Sequence, residues 1–171
     1  METRQDHPAT TPHLGRYQID ADGSAITFRS RHLLGLASVR GTFAIRTGTI
    51  DVAEPLADSA VYAEIDTASF HTRNVARDAS VQSGRFLDAA RHPVMTFRSE
   101  RINDAVLTGT LTVRGVTRPV SLAVELGDVS PRSFTARATT RVDRTEFGVT
   151  AARGLAGRYL ELSLEVRCVR R

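Results

Sequence analysis

The groups able to do chemistry in this 171-residue chain are five histidines, one cysteine and 19 acidic residues, and their spacing argues against most of it. His7, His13, His32, His71 and His92 form no pair at the spacings that bring two ligands together on a helix or strand. A metal centre needs such convergence, so no metal and no cofactor is expected. Cys168 shares strand parity with Leu162, Leu164 and Val166. That is the position of a small buried hydrophobe, not of a reactive thiol in an electropositive cleft. Asp66, Asp78, Asp88 and Asp143 each stand beside a turn or a helix start, where aspartate satisfies backbone donors. No nucleophile elbow, phosphate loop or dinucleotide fingerprint occurs. No catalytic residue is assigned, and an enzyme is not expected.

Two polar residues have a functional reading beside a structural one. His32 edges the apolar run Leu33-Leu34-Gly35-Leu36, so it reads either as a packed histidine or as a contact for a ligand's polar head. Arg77 sits on the one helical stretch. It pairs with Asp78 to anchor that helix, or its guanidinium meets an anionic head group.

All 23 basic residues are arginine, and the net charge is only +4. The arginines spread along outward strand positions such as Arg29, Arg40, Arg46, Arg98 and Arg137. A nucleic-acid footprint needs basic clusters with interleaved aromatics, so no nucleic-acid partner is expected. No apolar run has the length of a membrane-spanning helix. The polar start lacks the basic-then-apolar pattern of a secretion signal, which makes the cytoplasm the expected compartment. Residues 1–15 read as a disordered arm and 16–171 as one domain, a length that buries a core without disulfides.

The elements that must position any site are mostly strands. Val61, Ala63 and Ile65 alternate with Tyr62, Glu64 and Asp66, the two-residue period of a half-buried strand. After His71-Thr72 the period changes. Asn74 can cap a helix over Val75–Val81, with Gly84 ending it. His92-Pro93 stops a second turn, and Val94–Ser99 alternates again. Elsewhere the alternation is continuous: Ile26-Phe28-Ser30, Val39-Gly41-Phe43-Ile45, Leu107-Gly109-Leu111-Val113, Val120–Leu126, Phe134–Val142 and Leu160–Cys168. Asp22-Gly23 signals a hairpin, and Thr47-Gly48 a turn into Ile50 and Val52. About eight strands separated by turns predict an antiparallel barrel or sandwich. Small inward residues (Ser30, Gly41, Ala63, Gly109, Ala136, Ala138) lean towards a hollow interior. Eight strands also suit a barrel filled by its own side chains.

With these pieces laid out, the chain resembles the YceI-like family. The match runs in order through Tyr17–Asp20, Phe28 with His32-Leu33-Leu34, Val39–Phe43, Ile65–Thr72 and Arg77-Asp78. It continues through Phe86-Leu87-Asp88, His92–Phe97, Leu107–Val120 and Arg144–Val149, and covers residues 16 to 169. The resemblance implies an all-β fold: an antiparallel eight-stranded lipocalin-like β-barrel with one short helix packed between strands. It implies non-catalytic binding, transport or sequestration of a long apolar ligand, such as a polyisoprenoid, fatty acid or fatty amide. Carried onto this chain, the lumen would be lined by Phe28, Phe43, Ile65, Phe86, Met95, Phe97, Leu111 and Phe147. His32 and Leu33 would lie near one opening, and Arg77 is carried as a head-group contact. A homodimer is left open. The sequence departs from the family pattern at Ser80, Gln82 and Arg85. The rival reading is a filled barrel acting as a stress-related protein-interaction module, marked by an exposed apolar patch and no cavity.

Overall fold

The computed structural model describes residues 11–32 and 36–171. Ten strands are present: β1 (Gly15–Ile19), β2 (Ala25–His32), β3 (Ala37–Phe43), β4 (Ile45–Val52), β5 (Ala60–Asp66), β6 (Val94–Asn103), β7 (Val106–Val113), β8 (Val116–Val129), β9 (Ser133–Asp143) and β10 (Tyr159–Arg170). They make eight staves, because β1 and β2 follow one another along β10, and β3 and β4 follow one another along that composite stave. Every neighbouring pair is antiparallel, and the pairing of β1 with both β4 and β10 closes the barrel. Closure leaves the barrel's seam without an open edge.

Two sequence expectations are corrected here. Asp22-Gly23 does not make a hairpin. The chain steps sideways and continues in its old direction, because Asp20 N–H donates to Arg167 O and Ser24 Oγ accepts from Arg167 N–H, which keeps the bulge on β10. Thr47-Gly48 is not a turn either. It lies inside β4, whose register shifts between Ile45 and Thr47, and Gly48 makes room for Ile19 from β1. Both signals mark irregularities of the kind that bend a barrel wall.

The turn at Arg114-Gly115 joins β7 to β8 as a hairpin, with both residues at positive φ (52° and 74°). The helix α1 (Val75–Gln82) starts at Asn74, whose side chain accepts from Arg77 N–H at 3.0 Å. It ends at Ser83, in extended conformation, one residue before the glycine expected to stop it.

The segment from Thr67 to Pro93 does more than carry this helix. Between β3 and β5 the wall is completed by its first residues. Thr42 and His71 exchange both backbone hydrogen bonds, and Ser69 Oγ accepts from Ala44 N–H. Phe70 then packs against Phe28 (ring centroids 5.2 Å) and Phe43 (5.5 Å). Asp78 accepts from both the N–H and the hydroxyl of Thr72. Burial pulls its carboxyl upward, but these hydrogen bonds and the charges of His71 and Arg77 outweigh that and hold it below the usual range.

The outer face carries cross-strand ion pairs, including Arg29 with Glu161 at 2.8 Å and Arg137 with Glu165 at 3.2 Å. Exposed pairs like these contribute little to stability. Their main service is to keep the outside polar and the inward parity fixed. Cys168 is fully buried, and burial pushes its thiol up to about 12.

Candidate functional site: an apolar lumen

The inward residues of all eight staves enclose a cavity of about 490 Å³. Its wall is almost wholly aliphatic and aromatic. Among the described residues, only Ser59, Asp104, Thr140 and Arg144 bring polar side chains to it. Most of these polar atoms are already used: Ser59 Oγ accepts from Ala53 N–H, and Thr140 Oγ1 donates to Ser121 O. The barrel is therefore hollow, which the sequence leaves open.

The hollow has a local cause. Leu160, Leu162, Leu164 and Val166 of β10 face it, as do Val120 and Val124 of β8, and all remain only half-buried. A filled core would cover them. Between these two strands β9 supplies small residues, Ala138 paired with Leu164 and Val124 and Ala136 paired with Val166, and β5 supplies Ala63. The two inward glycines act otherwise. A Cβ on Gly41 would meet the Phe28 ring at 2.5 Å, and one on Gly109 would meet the Phe97 ring at 2.8 Å. These glycines seat aromatic rings against the wall, and the alanines leave the open space.

The two ends differ. At the end carrying α1, Phe86, Phe147 and Val149 are buried together in the main core cluster, with Leu87 and Phe147 reaching the lumen. The β9–β10 connection there is held by Arg144. Its Nε donates to Gly157 O at 2.7 Å and its Nη1 to Val149 O at 2.9 Å. Arg114 Nη1 donates to Phe86 O at 2.7 Å. At the opposite end the lining residues Asp104, Ala105 and Leu126 are exposed, so the lumen meets solvent there. Pro12 is buried on the rim, and the carbonyls of His13 and Leu14 accept from Tyr17 Oη and Arg170 Nη2.

Of the residues singled out in the sequence, Phe43, Ile65, Met95, Phe97, Leu111 and Phe147 line the lumen. Phe28 does not. It has the right parity, but its ring is taken up between Phe43 and Phe70. Phe86 belongs to the plug, flanked by the guanidinium groups of Arg85 and Arg144, and its neighbour Leu87 faces the cavity instead. Arg77 lines neither of the two cavities found among the described residues; its Nη1 donates to Thr72 Oγ1 at 3.4 Å, and its ion pair with Asp78 does not form at hydrogen-bonding distance. His32 ends β2 outside the lining, its buried Nδ1 without a hydrogen bond among the described residues. Leu33 lies outside the described residues, as do residues 1–10 of the expected arm.

Sequence reading passed over Arg144 and the whole inner face of β10. The first opens the Arg144–Val149 piece, where the strand alternation lapses. The second was visible as parity, but large aromatics were preferred over leucines.

The domain with this geometry matches the YceI-like domain over residues 17–168. The chain belongs to that family. A UPF0312 protein of Pseudomonas aeruginosa is 34% identical over 167 residues, spanning 90% of this chain and 86% of its own. One from Vibrio parahaemolyticus is 28% identical over 168 residues, covering 91% and 87%. Among solved structures, Burkholderia cenocepacia BcnA superposes with a TM-score of 0.75 at 19% identity, over 87% of this chain and 98% of BcnA. A polyisoprenoid binding domain from Saccharophagus degradans gives 0.75 at 14% identity, over 93% and 100%. The Campylobacter jejuni YCEI protein gives 0.65 at 24% identity, over 80% and 87%. At these identities the structural likenesses speak for the barrel fold. No helix among the described residues is long and apolar enough to cross a membrane.

Proposed function

We propose that this YceI-like barrel is a non-catalytic carrier or sequestering protein for a long apolar ligand, of the isoprenoid or fatty-chain class. The observation that carries the reading is the lumen itself: about 490 Å³ walled by aliphatic and aromatic side chains, with most of its few polar groups already satisfied. Such a surface offers no directional recognition, so affinity must come from burying hydrocarbon. Each methylene contributes ~0.8 kcal/mol. A chain of about fifteen carbons therefore gains on the order of 12 kcal/mol, of which ordering the complex removes at least 4. Useful affinity follows from chain length alone, and selectivity from the length and bore of the cavity. The solved Saccharophagus degradans relative is described as a polyisoprenoid binding domain, which supports the same class here.

Native mass spectrometry of the purified full chain, with and without an added panel of prenols and fatty acids, tests this. A bound species displaced by the panel is expected. Phe43→Arg and Phe97→Arg each place a charge in the lumen and should abolish uptake, with the β-sheet signal in circular dichroism retained. A wild-type chain that takes up none of the panel overturns the proposal. Undiminished uptake in the folded arginine variants overturns the lumen as the site.

A further inference from the structure

Four residues at the open end belong to no strand. Thr11–Leu14 precede β1, and Gly15 then pairs with Val52 at the rim. Pro12 is the one buried residue of the four, and it forms part of the lumen wall. Thr11 and His13 are exposed, and Leu14 is 51% exposed. Among the described residues, no backbone–backbone hydrogen bond reaches this segment. Two side chains hold it instead. Tyr17 Oη donates to His13 O at 2.8 Å, and Arg170 Nη2 donates to Leu14 O at 2.7 Å.

Both donors are built into the seam between β1 and β10. Tyr17 is fully buried, with its ring edge-on to Phe134 at 4.9 Å. Arg170 pairs with Tyr17 across the seam, and its guanidinium stands 5.9 Å from the Tyr17 ring. Between the segment and the seam lies Gly15, at φ 131°. Glycine adopts that conformation freely, and L side chains rarely reach it. A Cβ there would meet Arg170 Nη2 at 2.9 Å. The backbone therefore turns at the one residue that lets the guanidinium pass to Leu14 O.

Segment and seam differ in strength. The seam is paired strand. The segment has one buried apolar residue and two hydrogen bonds, and the one from Arg170 is exposed. Segments with so few buried contacts open locally at low free energy while the rest of the fold stays intact. Opening at Gly15 takes Pro12 out of the lumen wall and widens the mouth. We propose that Thr11–Leu14 is a strap across the lumen mouth, hinged at Gly15 and latched by Tyr17 and Arg170, and that its release sets how fast a ligand enters and leaves. The ligand half of this rests on the lumen reading above, and the opening itself does not.

A thiol placed in the lumen reads the opening without any lipid. Ala138→Cys provides it on the lumen wall. Cys168 is fully buried, with its thiol pushed up to about 12, so the chain without that substitution is the blank. Labelling of the full chain by pyrene maleimide, a bulky apolar reagent, is followed by fluorescence. Arg170→Ala and Tyr17→Phe are each expected to speed labelling about fivefold, the factor that one net hydrogen bond allows. Gly15→Val should speed it most, and adding Arg170→Ala to Gly15→Val should change nothing further. Arg137→Ala, on the outer wall, leaves the rate as it is. In stopped flow, entry and exit of a fluorescent fatty acid should accelerate by the same factor in the latch variants, with Kd held within about twofold, as for a gate. Circular dichroism melts confirm that each variant is folded. Unchanged labelling in all three single variants overturns the strap. Equal acceleration by Arg170→Ala with and without Gly15→Val also overturns it, because the guanidinium would then be acting on the seam. Faster labelling with no fatty acid taken up by any variant supports the strap and overturns the lumen reading. Faster labelling with fatty-acid rates unmoved overturns the strap as the ligand's gate.

Discussion

At the α1 end of the barrel, Phe86, Phe147 and Val149 fill the bore, and Arg114 and Arg144 tie the covering loops together through backbone carbonyls. At the opposite end, Asp104, Ala105 and Leu126 line the bore and remain exposed. Both ends are made from the same alternating strands, so the wall does not decide which end is closed. The inserted connections do. The Thr67–Pro93 segment and the β9–β10 connection supply aromatic plugs together with polar groups that satisfy buried backbone. The short turns at the other end, Asp104-Ala105 and Ser130–Arg132, supply neither, and the β4–β5 connection there brings Leu56 and Ser59 to the lumen but no aromatic plug. Stability is concentrated where connections are long and wired, and access is left where they are short.

That contrast can be broken by emptying the plug. Phe147 is 2% exposed. Phe147→Ala is expected to destabilise by about 3–5 kcal/mol, as large-to-small changes in cores do, and to lower Tm by ~10 °C for a chain of this size. Thermal denaturation followed by circular dichroism reads it. A loss below about 1 kcal/mol would mean that the end is not packed as a plug.

A smaller effect is expected from the wiring. The Asp78 carboxyl is held below its ordinary value in the fold, so its contribution is present above the usual carboxylate range and is lost as pH falls through the folded value. Asp78→Asn should be less stable than wild type near neutral pH and should lose less stability on acidification. Parallel denaturant titrations across the acid range check this, and equal acid limbs for the two proteins would remove Asp78 from the account. The smallest effect belongs to the open end. Leu126→Asp should leave stability within ~0.5 kcal/mol, as surface changes usually do, but slow uptake of a fluorescent fatty acid in stopped flow. An unchanged rate would place the access route elsewhere.

The wall was legible in the sequence because alternation is a local signal. The inward parity of β5 through β10 can be read off residue types, and the Arg114-Gly115 turn and the Asn74 cap are likewise local. What was misread shares one cause. Asp22-Gly23 and Thr47-Gly48 have the composition of turns, but whether a chain reverses or merely bulges depends on which strand holds it from the side. Here that strand is β10, about 140 residues away for the first case. Gly41 and Gly109 looked like openings for the same reason, since the rings that fill them come from neighbouring strands. Arg144 opens the Arg144–Val149 piece of the family match, but its residue type does not announce what it holds. Its contacts are carbonyls of a loop that takes its shape only when the barrel is closed.

The seam between β1 and β10 sets a condition on how the molecule is made. Tyr17 faces Arg170 and Ile19 faces Cys168 across it, a separation of about 150 residues. The entropic cost of bringing such distant partners together grows only slowly with length, so the finished barrel is not weakened by it. The order of events is affected. During synthesis the first seven staves emerge with their inner leucines and valines uncovered and two unpaired strand edges, the combination that promotes aggregation. Those surfaces are hidden only when the last strand leaves the ribosome and completes the ring. A barrel that ends up hollow and apolar is therefore, for most of its own biogenesis, an open trough.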